Sequence, residues 1–164
     1  MVITIRQYRE KDRGTLVSFM DKLQDYLILI DPLHRLRRWK NYGEIYTGRL
    51  LSKIAKEQGI IFFAEENKLP IGVIVGVFEI QEKDNLLECI PTKTGRIQDL
   101  FVDEHYRSRG VGKLLMGALE DYFKKKKCTI IKVEVFAPNS KAHQFYGHYG
   151  FEDRVVDMIK VIEK

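Results

Sequence analysis

Only two of the 164 residues are cysteine, Cys89 and Cys128, and they stand far apart. A disulfide-stapled scaffold is excluded, and no paired-cysteine metal motif can form. Two free thiols in a reduced, cytoplasmic setting are expected. The four histidines, His34, His105, His143 and His148, show no metal-ligand spacing, so no metal is expected. Long apolar runs are missing as well. Stretches such as "IIFFA" and "VIVGVF" fall far short of the ~20 residues that a membrane helix needs. The opening "MVITIRQYREKD" is charged almost at once, unlike a secretory signal. No Pro/Gly/Ser-rich linker and no internal repeat divides the chain, so one domain over residues 1–164 is expected.

What is present is an ordinary globular balance with a basic excess. Hydrophobic residues make up 45%, enough for a core, and a chain of this length buries roughly 70% of its unfolded surface. The net charge is +5, which suits nucleic acid, an anionic ligand or neither. Much of it is local, in "HRLRRWK" (34–40) and "KKKK" (124–127). The second run reads as a solvated helix end, where cations suit the helix dipole.

Periodicity predicts the elements. "VITIRQY" (2–8) reads as a strand, and Asp12 as the start of a helix carrying Leu16, Phe19, Met20, Leu23 and Leu27. A second helix is expected over 42–57, with Ile45, Tyr46, Leu50 and Ile54 facing inward. Strands follow at 59–66, 71–82 and 94–103, the first two antiparallel. A helix over 110–126 has Val111, Leu114, Leu115, Ala118, Leu119, Tyr122 and Phe123 along one stripe. Then come a strand at 129–137, a helix capped by Asn139 or Ser140 and stopped by Gly150, and a last strand at 151–162. This order predicts an α/β fold whose mixed sheet has a parallel pair where helix 110–126 joins two strands.

The chemistry concentrates in "HYRSRGVGKLL" (105–115). A nucleotide P-loop would need glycine at Arg107 and Ser or Thr at Leu114, and a dinucleotide fingerprint would need glycine at Leu115. Both fail. What remains is strand, turn, R-S-R-G-V-G, helix. Gly110 and Gly112 leave the amides of 109–113 uncovered at a helix N-terminus, which suits a pyrophosphate, with Arg107 and Arg109 at the rim. The other reading is a glycine-bearing turn with two solvated arginines.

The stretch has company. Arg107, Gly110 and Gly112 match the pattern Arg/Gln-x-x-Gly-x-Gly/Ala. "LFVDEHY" precedes it, and Asn139, Ala142, Phe145, Tyr146, Gly150 and Phe151 follow at a suitable distance. On these residues, and on the opening "ITIRQYREKD", the chain resembles the GNAT family of N-acetyltransferases. From the third long strand to Phe151 the likeness is in motifs; elsewhere it is in element order only. The resemblance implies a GNAT-like α/β fold: a mixed central sheet, flanked by helices, with two parallel strands (96–103 and 129–136) that splay apart.

It also implies acetyl-CoA, or another acyl-CoA, as co-substrate. Its pantetheine arm would add to the strand edge at Leu100, Phe101 and Val102. Its pyrophosphate would lie on Arg107, Ser108, Arg109, Gly110, Val111, Gly112 and Lys113. Tyr146 would protonate the leaving thiolate, or else be a core aromatic beside Phe145 and Tyr149. Asp99 would be the base, with Glu79 and Glu134 as rivals. Asn139 would hydrogen-bond the pantetheine, or only cap its helix. The acceptor, an amine on a small molecule or a protein, would meet segments 26–50 and 80–95. There Asp25, Asp31 and Glu44 favour a cation, while Arg35, Arg37, Arg38 and Lys40 favour an acid. Trp39, Tyr42 and Tyr46 either form an aromatic wall or pack the helices. A non-catalytic acyl-CoA sensor on the same fold is the second reading. A nucleic-acid binder is disfavoured by the scattered charge, and a membrane partner is not expected. Monomer and homodimer both stay open.

Overall fold

The computed structural model describes residues 2–162; residues 1, 163 and 164, part of the expected 1–164 domain, lie outside them. The β-rich runs form β1 (Ile3–Gln7), β2 (Ile60–Glu66), β3 (Leu69–Glu79), β4 (Thr94–Val102) and β5 (Ile130–Val133). They make one five-stranded sheet in the order β1-β2-β3-β4-β5. The first three junctions are antiparallel and the last, β4–β5, is parallel. Helices α1 (Arg13–Ile30) and α2 (Tyr42–Lys56) lie between β1 and β2, and a short α3 (Asn85–Glu88) lies between β3 and β4. Helix α4 (Val111–Lys125) makes the crossover that a parallel pair requires.

The sheet is covered on both faces. On one, Leu16, Phe19 and Met20 of α1 and Leu50 of α2 pack with Phe63, Val73, Val75 and Phe101. Each such side chain contributes roughly 1.5–3 kcal/mol on burial. On the other face, α4 lies close. A Cβ on Gly95 would come within 2.6 Å of the Phe123 ring, and one on Gly76 would collide with Leu119. Two-sided cover explains why β3 is a near-continuous apolar run, buried from Ile71 to Val77. The expected stripe of α4 holds at Val111, Leu115, Leu119 and Phe123. It fails at Leu114, which is 44% exposed while Met116 is buried. Ile45, expected inward, is also exposed on α2, because Leu50 and Thr47 carry the buried face.

One irregularity in β4 matters for the site. Val75 pairs with Asp99 but Gly76 pairs with Ile97, so Gln98 is an extra residue. Before this bulge, Gly95 faces α4. After it, Phe101 faces α1, with its ring 4.8 Å from that of Phe19. At the bulge both Gln98 and Asp99 bond to α2, through Lys53 and Tyr46. The bulge thus turns two adjacent side chains toward one face, as such insertions do.

The chain divides into two compact units, residues 1–134 and 135–164. Within the second, α5 (Ser140–His148) starts at Asn139, whose Oδ1 accepts the N–H of Ala142 at 3.2 Å. It ends at Gly150 (φ +79°). There the Phe151 amide bonds the Tyr146 carbonyl and the Gly150 amide bonds the Gly147 carbonyl, a double-bonded glycine stop. Two expectations are corrected. β5 ends at Val133 rather than near residue 137. Residues 151–162 form no strand, because a strand sequence needs a neighbouring ladder and none pairs with it among the described residues.

Candidate active site

Asp99 projects from the bulge of β4 toward α2. Tyr46, one helical turn after Tyr42 on the same face of α2, donates its hydroxyl to both Asp99 carboxylate oxygens at 3.0 Å. The Tyr42 and Tyr46 rings stack at 5.5 Å, one helical turn apart. Burial raises the Asp99 carboxyl to about 7, against smaller lowering by the Tyr46 hydrogen bond and the Lys53 charge. Burial also raises the Tyr46 phenol, and the adjacent carboxylate adds to this. Tyr46 therefore stays protonated and remains a donor. Asp99 is a carboxylate that changes protonation near neutrality, as a proton acceptor at that pH should.

Its rivals are otherwise engaged. Glu79 pairs with Lys132 at 3.1 Å, and Glu134, largely exposed, pairs with Arg96 at 2.7 Å. The acidic residues expected to draw a cation are engaged too. The Asp31 carboxylate is buried and accepts the amides of Leu33, Arg35 and Leu36, which fixes the loop after α1. Asp25 pairs with Arg38 at 2.6 Å and Glu44 with Arg13. Of the aromatic trio, Tyr42 and Tyr46 stack, while Trp39 is 61% exposed under the Arg37 guanidinium.

β4 also offers a free edge. Its ladder with β5 runs from Thr94↔Ile130 to Ile97↔Val133 and stops at the bulge. Among the described residues, Gln98, Asp99, Leu100, Phe101 and Val102 have no ladder on the β5 side. This edge leads through Asp103–Tyr106 to the glycine turn. Ser108 (φ 61°) and Gly110 (φ 80°) both take the left-handed conformation, which glycine adopts freely. Gly110 has no side chain to cap α4, and the first helical bond there is Leu114 N–H to the Gly110 carbonyl. The amides of Val111, Gly112 and Lys113 thus lack helix acceptors, which leaves them able to receive an anion. Arg107 is anchored at this turn. Its Nε donates to the Val102 carbonyl at 3.0 Å and its guanidinium lies 5.2 Å from the Tyr26 ring, so it braces the turn. Arg109 lies over the Tyr106 ring.

A cavity of about 410 Å³ opens beside Gln98, between the end of α2 and the ends of β3 and β4. Its wall mixes Lys53, Lys56 and Arg96 with Glu57, Glu79 and Glu82.

In the second unit, Tyr146 is buried (7% exposed) on α5, its ring 5.3 Å from Phe145 and 5.5 Å from Phe151. Asn139 caps α5, with its amide NH2 still able to donate.

A family model described as "Acetyltransferase (GNAT) family" matches residues 17–151. The chain belongs to the acetyltransferase (GNAT) family. An uncharacterized N-acetyltransferase of Methanocaldococcus jannaschii is 27% identical over 145 residues, covering 83% of this chain and 59% of that protein. The spermine/spermidine N(1)-acetyltransferase of Bacillus subtilis is 31% identical over 80 residues, 47% of this chain and 48% of its own. The matched region thus spans about half to three fifths of these relatives. Among solved structures, a mutant BH1408 protein from Bacillus halodurans superposes with a TM-score of 0.85 at 20% identity, covering 98% of this chain and 99% of its own. An aminoglycoside N-acetyltransferase, AAC(6')-Iy, in complex with CoA gives 0.72 at 18% identity over 97% and 95%. At these identities the likeness is one of fold, and it bears out the GNAT-like α/β architecture with its mixed sheet.

Within this GNAT chain, sequence reading named Asp99 but missed Lys53 and Gln98, and weighed Tyr46 only as wall or packing. Nothing local signals them. Tyr46 and Asp99 lie far apart in the chain, and the bulge that brings Gln98 and Asp99 to one face leaves no mark on the residue pattern. Among the described residues no helix is long and apolar enough to cross a membrane, and no cluster of His, Cys, Asp and Glu suits a metal ion.

Proposed function

We propose that this chain is an N-acetyltransferase, one domain over residues 1–164, that moves the acetyl group of acetyl-CoA to a primary amine. The observation that carries the proposal is the run formed by Asp99, the free β4 edge and the uncapped start of α4. A carboxylate near neutrality, an amide edge and an anion site follow one another along a single stretch of chain. Acetyl-CoA has a thioester, an amide-rich arm and a pyrophosphate in the same sequence. The arm pairs with Leu100–Val102, and the pyrophosphate rests on the amides of 109–113 with Arg107, Ser108, Arg109 and Lys113 around it. Both cysteines are free, which fits a cytoplasmic enzyme.

The amine enters through the cavity beside Gln98 and attacks the thioester carbonyl directly in a ternary complex. Asp99 takes the proton that the nitrogen sheds, and Tyr46 holds the carboxylate in place. A β4 amide within 100–102 donates to the oxyanion. The C–S bond then breaks, and Tyr146 is our candidate for the donor that protonates the thiolate. The mixed wall of the cavity suits an acceptor that carries charges of both signs, or a peptide amino terminus. The test is release of CoA thiol with a panel of polyamines, aminoglycosides, amino acids and peptides. Turnover with at least one amine, reduced ~10²-fold or more by Asp99→Asn, is the expected result. Acetyl-CoA binding with no turnover on any amine would favour the non-catalytic sensor.

A further inference from the structure

The cavity beside Gln98 is walled by three cations, Lys53, Lys56 and Arg96, and three carboxylates, Glu57, Glu79 and Glu82. Pairing within the fold takes up most of the positive charge. Lys53 donates to the Gln98 side chain at 3.0 Å, and Arg96 pairs with Glu134 at 2.7 Å. Only Lys56, exposed at the end of α2, has no side-chain partner among the described residues. The carboxylates are less fully used. Glu57 and Glu82 have no side-chain partner among the described residues. Glu79 accepts from Lys132 through Oε1 at 3.1 Å, but its Oε2 is buried and accepts no hydrogen bond. Arg96 stands 4.0 Å from that oxygen, beyond hydrogen-bond reach. A buried carboxylate oxygen without a donor is costly. A ligand that brings an N–H to it removes that cost, and an ammonium does so most strongly.

The same oxygen is suitably placed relative to Asp99. Asp99 pairs with Val75, and Glu79 pairs with Thr94, four residues further along β3. Residues 75, 77 and 79 share a face of that strand, so both carboxylates fall on the side that α2 covers. Gln98, which lines the cavity, is the chain neighbour of Asp99. At ~3.3 Å per residue the two positions stand ~13 Å apart along the strand. Nitrogens each held ~3 Å from one carboxylate are then ~7 Å from one another. An extended chain of about four to six methylenes spans that distance.

Given the acetyl transfer proposed above, we infer that the acceptor is a linear diamine, with one nitrogen at Asp99 and a second, protonated nitrogen held by Glu79. The near nitrogen, as the free amine, forms the N–C bond to the acetyl carbonyl carbon while the C–S bond breaks. The proton it sheds passes to Asp99, and the sulfur leaves as a thiolate that is protonated to the CoA thiol. The far ammonium keeps its protons throughout. Glu79 therefore selects the acceptor without touching the reacting atoms. The charge left over in the wall is mainly negative, so the far end of the acceptor is cationic rather than anionic.

The test compares acceptors of one length that differ only at the far end: 1,5-diaminopentane, 5-aminopentan-1-ol, pentylamine and 5-aminopentanoate. CoA release with each is measured for the wild type and for Glu79→Gln. In the wild type the diamine should exceed the alcohol and the alkylamine in kcat/KM by at least about tenfold, and the amino acid should be the poorest. The difference should lie mainly in KM, because the far ammonium is bound alike before and during reaction. Glu79→Gln keeps the shape and removes the charge, so the preference for the diamine should shrink at least about tenfold. Acetyl-CoA affinity by calorimetry checks that the variant is folded. The wild-type ranking needs no variant and tests the inference by itself. Equal turnover across the set, or a preference for the amino acid, would overturn the inference and leave acetyl transfer standing. A diamine preference that survives Glu79→Gln in a folded variant would place the second nitrogen elsewhere and overturn it equally. No CoA release with any amine would instead overturn acetyl transfer itself, and the diamine with it.

Discussion

Burial costs the Asp99 carboxylate its water, and one phenol returns part of what was lost. Only the ionised form accepts a proton, so kcat/KM should rise with pH through about 7. The Tyr46 hydrogen bond favours the ionised form, so Tyr46→Phe should move that rise to higher pH. A purely structural Tyr46 would cost stability and leave the midpoint in place; pH–rate profiles of both proteins separate the cases. The same carboxyl affects folding. Its folded value lies above the ordinary one, so the native state holds more protons between about pH 4 and 7, and stability falls as pH rises through that window. Asp99→Asn should therefore be more stable than the wild type at pH 8, by order 1–3 kcal/mol in urea melts, while losing activity. Tyr146 is tested in the opposite way. Tyr146→Phe keeps the ring among Phe145 and Phe151 and removes only the hydroxyl. A proton donor to the thiolate predicts an unchanged acetyl-CoA affinity with kcat and kcat/KM falling together ~10²-fold. A core role predicts normal turnover and at most ~1 kcal/mol of stability. Single-turnover rates decide the matter if product release limits kcat.

The start of α4 joins two devices, a left-handed Gly110 and three amides without acceptors. Gly110→Asp places a negative charge beside them and should abolish acetyl-CoA binding in calorimetry. Gly110→Asn keeps a similar shape and tolerance of the left-handed region without the charge, and should bind within about tenfold of the wild type, a loss of ~1.4 kcal/mol. Equal loss in both would point to backbone strain rather than to an anion site. The helices and strands were legible in the sequence where a single stripe or run decided them, as in α4 and β3. The last segment shows the limit. Its composition is that of a strand, but a strand exists only with a partner, and composition does not name one. β4 shows another limit. Ile97, Asp99 and Phe101 alternate as if on one face, yet the extra residue turns Asp99 and Phe101 away from Ile97. The site was legible as a glycine turn because that signal is local. The Tyr46–Asp99 bond was not, because it joins elements separated by two strands.

At the scale of the whole chain, ligand binding should appear as stability. With acetyl-CoA at about 100 times its Kd, the native state gains ~2.7 kcal/mol, or ~5–10 °C in Tm for a chain of this size. The shift should shrink as salt rises, because a polyanion is meeting a chain of net charge +5. Calorimetric scans with and without ligand at two ionic strengths check both statements. The bulge has a consequence for the sheet as a whole. Gln98 is inserted between two halves of β4 that each alternate regularly, so its deletion would turn no other side chain of the strand to the opposite face. Val75 would still meet Asp99, and Gly76 would still meet Ile97, now as consecutive rungs. Pairing with β5 ceases where Gln98 begins, so this deletion would straighten β4 and invite the parallel ladder to zip onward over Asp99 and Leu100. The end of the β4–β5 ladder at Ile97 is then written into the length of the chain rather than into the chemistry of any side chain, and a single codon separates a ladder that stops there from one free to run on.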